Sequence, residues 1–104
     1  MNKILLTALL AASLPASAAQ VLVGKPDDTL SARVSRSEPT LIRIEGHRVR
    51  RIFGAEGEFA VTADKEAGTA YLKPTTDKPT LSLFVSDENG RTWKLLLSVT
   101  DGPS

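Results

Sequence analysis

From Val21 onward, apolar and polar residues alternate with a period of two. Leu30, Ala32 and Val34 alternate with Ser31, Arg33 and Ser35, and Ile42 and Ile44 with Arg43 and Glu45. Phe59 and Val61 alternate with Ala60 and Thr62, and Ala70 and Leu72 with Tyr71 and Lys73. Leu81, Leu83 and Val85 alternate with Ser82, Phe84 and Ser86, and Trp93, Leu95, Leu97 and Val99 with Lys94, Leu96 and Ser98. Successive side chains of a strand point to opposite faces, so each run predicts a strand with one face buried. No window after Gln20 sustains the i, i+3, i+4, i+7 spacing of an amphipathic helix.

Turn-forming residues separate these runs. Lys25-Pro26-Asp27-Asp28, Ser37-Glu38-Pro39, Gly54 to Gly57, Glu66-Ala67-Gly68 and Thr75 to Pro79 are the breaks. Asp87-Glu88-Asn89-Gly90 predicts a hairpin, because Asn and Gly tolerate the positive φ of a tight turn. Within Arg48-Val49-Arg50-Arg51-Ile52-Phe53, Val49 and Ile52 have opposite parity. A β-bulge near Arg50-Arg51 would return both to the core. The expectation is an all-β fold, a small antiparallel β-sandwich of about seven or eight short strands. No second domain, repeat or low-complexity tract is found, so residues 20–104 form one domain.

Residues 1–19 read differently. Met1-Asn2-Lys3 is short and positive, Ile4 to Leu14 is apolar apart from Thr7 and Ser13, and Ala16-Ser17-Ala18-Ala19 follows Pro15. This is the order of a cleavable signal peptide, with processing after Ala18 or Ala19. The apolar run is too short to cross a bilayer, which takes about 20 residues. The mature domain is expected in the periplasm, outside the reducing cytoplasm.

Composition narrows the chemistry. The chain has 104 residues, no cysteine, one histidine and a formal net charge of +1. No cysteine means no disulfide frame, thiolate metal site or cysteine nucleophile. One histidine leaves no His-pair metal motif and makes a Ser-His-Asp arrangement hard to build. The near-zero charge gives no bulk electrostatic case for nucleic-acid or membrane-surface binding. We therefore expect no enzyme, no cofactor, no metal, no direct nucleic-acid contact and no membrane insertion. Without disulfides, a domain this small rests on its apolar core, which makes support from a partner subunit reasonable.

Two groups of residues are candidates for partner contact. The first is the basic run His47, Arg48, Arg50 and Arg51, with Arg43 nearby. It reads either as a surface for an acidic segment or phosphate, or as a solvated strand face that discourages edge pairing. Glu38, Glu45, Glu56 and Glu58 flank it and weaken its field, which favours the second reading. The second group is Phe84 and Leu96, apolar residues on the nominally wet faces of two paired strands. They form a docking patch unless a second layer of the same domain covers them. Phe53 is expected in the core because its neighbour Ile52 is apolar. Asp27, Asp28, Asp64, Glu66, Asp77, Asp87 and Glu88 fall almost entirely in turns, where carboxylates cap the backbone rather than pair across a cleft.

The order of these features resembles the TraK secretin family. Leu30 to Ser35, the loop with Pro39, and Ile42 to Val49 are similar to its first block, with Gly46, Arg48 and Val49 in the last places of an I-x-G-x-R-I pattern. Gly68 to Pro74 is similar to its middle block. Lys78 to Val85 and Glu88 to Leu95 are similar to its K-P-x-T-L-F-V and E-x-G-x-T-Y-x-L block, with Trp93 where an aromatic, commonly Tyr, stands. The resemblance implies the N-terminal β-sandwich domain of a periplasmic subunit in the outer-membrane core complex of a conjugative type IV secretion system. It implies a structural role in pilus assembly and DNA transfer, with no catalytic residues. The implied partners are an outer-membrane lipoprotein subunit, an inner-membrane-anchored subunit that spans the periplasm, and other copies of the chain in a ring. Family members continue into a second β-domain, whereas this chain stops at Ser104, about where a linker would begin. The rival expectation is a small periplasmic ligand-binding or inhibitor module, with an apolar pocket lined by Trp93 and Tyr71. A hydrolase would need convergent carboxylates.

Overall fold

The computed structural model describes residues 3–8 and 20–101. Among them are nine strands and no helix: β1 (Lys3–Ala8), β2 (Gln20–Val23), β3 (Thr29–Ser35), β4 (Thr40–Ile44), β5 (Val49–Gly54), β6 (Phe59–Asp64), β7 (Thr69–Pro74), β8 (Thr80–Asp87) and β9 (Thr92–Thr100). They make a five-stranded sheet, β2-β1-β4-β7-β6, and a four-stranded sheet, β3-β9-β8-β5. The inward parity of each strand supplies the core between the sheets. Ile42, Ile44 and Leu72 of one sheet face Val34, Leu83, Val85, Trp93, Leu95 and Leu97 of the other, all essentially buried. Burying a Leu or Ile side chain contributes about 1.5–3 kcal/mol, so these rows hold a domain that has no covalent cross-link.

The Asn89-Gly90 hairpin joins β8 to β9 antiparallel, with Gly90 at φ 83°. The bulge falls where parity required it: the β5–β8 register shifts between Val49 and Arg51. Val49 and Ile52 both pack against the core as a result. Two features depart from the sequence expectation. First, β3 pairs with β9 in parallel, Leu30 opposite Leu95 and Val34 opposite Val99. Period-two alternation is the same for parallel and antiparallel strands, so the pattern carries no sign of direction. Second, Phe53 is not in the core. With Ile52 turned inward, the next residue must point outward, and Phe53 lies on the outer face of the four-stranded sheet.

The sandwich also reaches outside the 20–104 boundary. β1 lies between β2 and β4, antiparallel to both, with Ile4 opposite Ile44 and Leu6 opposite Ile42. Ile4 and Leu6 are fully buried. An apolar segment with branched residues two apart satisfies a strand's burial pattern as well as the other strands do. The expected processing positions at Ala18 and Ala19 lie outside the described residues. Opposite Ala8, Thr40 is fully buried, and its hydroxyl has no hydrogen-bond partner among the described residues.

Candidate docking surface

The four-stranded sheet turns one face to the core and the other to solvent. On the outer face the register aligns Thr29, Lys94, Phe84 and Phe53 in one row across β3, β9, β8 and β5. Ser31, Leu96 and Ser82 form the adjacent row. Phe84 and Phe53 stack with ring centroids 5.4 Å apart and planes 18° from parallel. The Arg51 guanidinium lies 4.5 Å from the Phe53 ring centroid. Such a pair contributes about 0.5–1.5 kcal/mol beyond its burial, and an exposed cation over a ring about 0.5–1 kcal/mol. The contacts order the patch without covering it. Phe53, Phe84 and Leu96 keep 36, 37 and 41% of their surface exposed. No second layer of the described chain lies over them. Beside Leu96 runs an open groove of about 410 Å³, lined by Ser31, Thr80, Ser82, Leu96, Leu97 and Ser98.

The structure divides the basic run. Arg51 joins the aromatic patch, while Arg50 is the exposed residue of the bulge. Arg48 is committed elsewhere: its guanidinium donates to the Glu66 carbonyl at 3.3 Å and to the Lys65 carbonyl. This ties the β4–β5 connection to the turn between β6 and β7, and the Val49 amide reinforces it by donating to the Gly68 carbonyl. Arg43 is exposed on the outer face of the five-stranded sheet, away from the others. Of the five candidate contact residues, then, Phe84, Leu96 and Arg51 share one face, Arg50 sits at its margin, and Arg48 is a tether.

His47 and Glu88 form a second cluster at the hairpin end. His47 Nδ1 lies 3.0 Å from Glu88 Oε1, and the Arg48 amide donates to Glu88 Oε2 at 3.1 Å. Arg91 Nη2 is 3.0 and 2.8 Å from the two imidazole nitrogens. One nitrogen cannot meet both in-plane lone pairs, which point away from each other, so the guanidinium lies over the ring face. Asp87, fully buried, accepts from the Asn89 and Arg91 amides and from Arg91 Nε, at 2.9, 2.9 and 2.8 Å. Every one of these contacts shapes the turn.

Trp93 fills the core, its Nε1 donating to the Gly24 carbonyl at 3.2 Å. Tyr71 is half-buried on β7, in the other sheet. The two do not line a common open pocket. Among the described residues, no three His, Cys, Asp or Glu side chains gather to hold a metal ion. Sequence reasoning missed Phe53, although the bulge it proposed already implied that Ile52 inward puts Phe53 outward.

Comparison with known proteins gives one family. The family model of the TraK N-terminal domain matches residues 24–104, which takes in β3 to β9 entire. No curated protein matches the chain.

Proposed function

The chain belongs to the TraK family through this N-terminal domain, a structural component related to conjugative type IV secretion, and we propose that it is a periplasmic subunit of the outer-membrane core complex. In this reading residues 1–19 direct export and are removed. The mature sandwich then supports pilus assembly and DNA transfer through protein–protein contacts. Its partners are an outer-membrane lipoprotein subunit, an inner-membrane-anchored subunit that spans the periplasm, and further copies of the chain in a ring.

The observation that carries this reading is the exposed Phe53–Phe84 stack beside Leu96, with Arg51 over the stack. Aromatic residues and Arg are enriched where protein interfaces concentrate their binding energy. A sheet face whose groove lies open to solvent suits contact with a folded neighbour better than capture of a small molecule, which needs an enclosing pocket. Repeated weak contacts around a ring would supply avidity that one domain lacks.

The test is site-specific photo-crosslinking in cells that carry the conjugation apparatus. A photoreactive residue at Phe84 or Leu96 is expected to give adducts with a subunit of the apparatus. The same probe at Glu66, on the far turn, is the control. Equal adduct yields at the three positions would reject the patch as the contact surface.

A further inference from the structure

β2 is hydrogen-bonded in its sheet to β1 alone, and β4 meets β1 on one side and β7 on the other. Removal of residues 1–19 therefore takes a strand from between two others. The inference below rests on that processing step. Neighbouring strands lie about 4.8 Å apart, so the vacated slot is one strand wide, about 9.6 Å from β2 to β4. Its floor is the core at Ile42 and Ile44, and its walls are two rows of unpaired backbone amides and carbonyls, a costly surface to leave unmade.

The slot does not close easily on itself. β1 is antiparallel to both flanking strands, so β2 runs parallel to β4. β2 is held at its exit, where the buried Gly24 accepts from Trp93 Nε1. A Cβ at Gly24 would lie 2.7 Å from a Leu30 methyl, which shows how closely the chain is packed there. Moving β2 across to β4 would drag this anchor out of the core.

We propose that in the processed protein this slot accepts one extended segment of a partner protein, which completes the five-stranded sheet between β2 and β4. Strand addition of this kind gains affinity from the backbone ladder and specificity from pockets for alternate side chains. The pockets here are those now filled by Ile4 and Leu6. The segment runs antiparallel to β4, with apolar residues at two positions separated by one. The intervening residue lies opposite Arg43, where Leu5 now stands. An acidic residue there would pair across the strands with the exposed guanidinium. Two residues beyond the apolar pair, opposite Thr40, a hydroxyl or amide side chain would give the buried Thr40 hydroxyl the partner it lacks. A folded sheet edge cannot enter a slot bounded on both sides. Among the described residues of the processed chain, a second copy has no unpaired strand to lend beyond β2 itself.

The test uses the full chain, expressed with its leader and recovered from the periplasm, its N-terminus read by mass spectrometry. The probe is a labelled peptide reproducing residues 3–8, followed by fluorescence anisotropy and by amide NMR shifts. Saturable binding, with shifts concentrated in residues 20–23 and 40–44, is expected. Replacing Ile4 and Leu6 of the peptide by Lys should abolish it, and L5E should tighten it by about two- to fivefold. An N-terminus at Met1 would overturn the processing step and, with it, the vacated slot. An N-terminus at Ala19 or Gln20 with no peptide binding, and with β4 amides protected in the free protein, would overturn the slot alone. So would a processed chain that sediments as a dimer and excludes the peptide.

Discussion

The Arg91 guanidinium closes its own hairpin on Asp87: Nε lies 2.8 Å from Oδ2 of a carboxylate with no exposed surface. The other Asp87 oxygen accepts the amides of Asn89 and Arg91. A buried charge held by three donors is stable only while the donors remain. Asp87→Asn keeps the shape and one oxygen for the two amides, but sets an NH2 donor against Arg91 Nε and loses that bond. It should lower the unfolding free energy by about 1.5–3 kcal/mol, read as a shift in the urea midpoint at unchanged slope.

Trp93 combines core volume with a polar anchor. Trp93→Phe leaves an aromatic ring but strands the Gly24 carbonyl without its donor. A loss of about 1–3 kcal/mol is expected from the unmet carbonyl, with more from the smaller ring. The loss should come with increased hydrogen exchange at Gly24 and Lys25, because β2 is released at its exit.

Gly68 sits at φ 72°, and a Cβ there would lie 2.9 Å from Arg48 Cβ and Cγ. Gly68→Ala should cost about 1–2 kcal/mol from the left-handed backbone alone. The Arg48 contact adds to that. In an Arg48→Gly background, which removes both the Cβ and the Cγ, the cost of Gly68→Ala should fall toward the backbone value, a non-additivity measurable in a double-mutant cycle. Strict additivity would mean that the side chain of Arg48 simply moves aside.

Phe84→Ser removes half of the exposed stack. Folding stability should fall by no more than about 1.5 kcal/mol, since the ring is over a third exposed and its pair energy is modest. Plasmid transfer, or binding to the proposed lipoprotein or spanning subunit, should fall much further. Leu96→Ser should behave alike, whereas Val61→Ser on β6, an exposed residue of the other sheet, should leave transfer intact. Transfer that tracks stability equally at all three sites would remove the docking role of the patch.

The isolated sandwich should bind the proposed partner subunits weakly. A co-sedimentation comparison with a two-domain homologue is the check, and equal retention of the two would contradict a contribution from ring avidity.

Parity made much of this legible in the sequence. It placed Phe84 and Leu96 on the wet face, located the bulge at Arg50-Arg51, and put Trp93 inside. Asn89-Gly90 announced its hairpin through turn chemistry. What parity cannot carry is direction or distance along the chain, and the parallel β3–β9 pair was therefore invisible. The fate of Arg48 depends on the turn at Lys65 to Gly68 folding back over it, a contact with no local signature. The strand formed by Lys3–Ala8 was hidden for a different reason. The same apolar run satisfies an export signal and a buried strand, and no property of the run itself separates the two.

The parallel pair has a consequence for the order of events during synthesis. Among the described residues β3 is an edge strand whose sole ladder partner is β9, about 65 residues later in the chain. Half of the sandwich cannot zip shut until the final strand has emerged. Contacts this distant in sequence close slowly. On the proposed export of the chain as an unfolded thread, this pairing keeps it loose until its last strand is through.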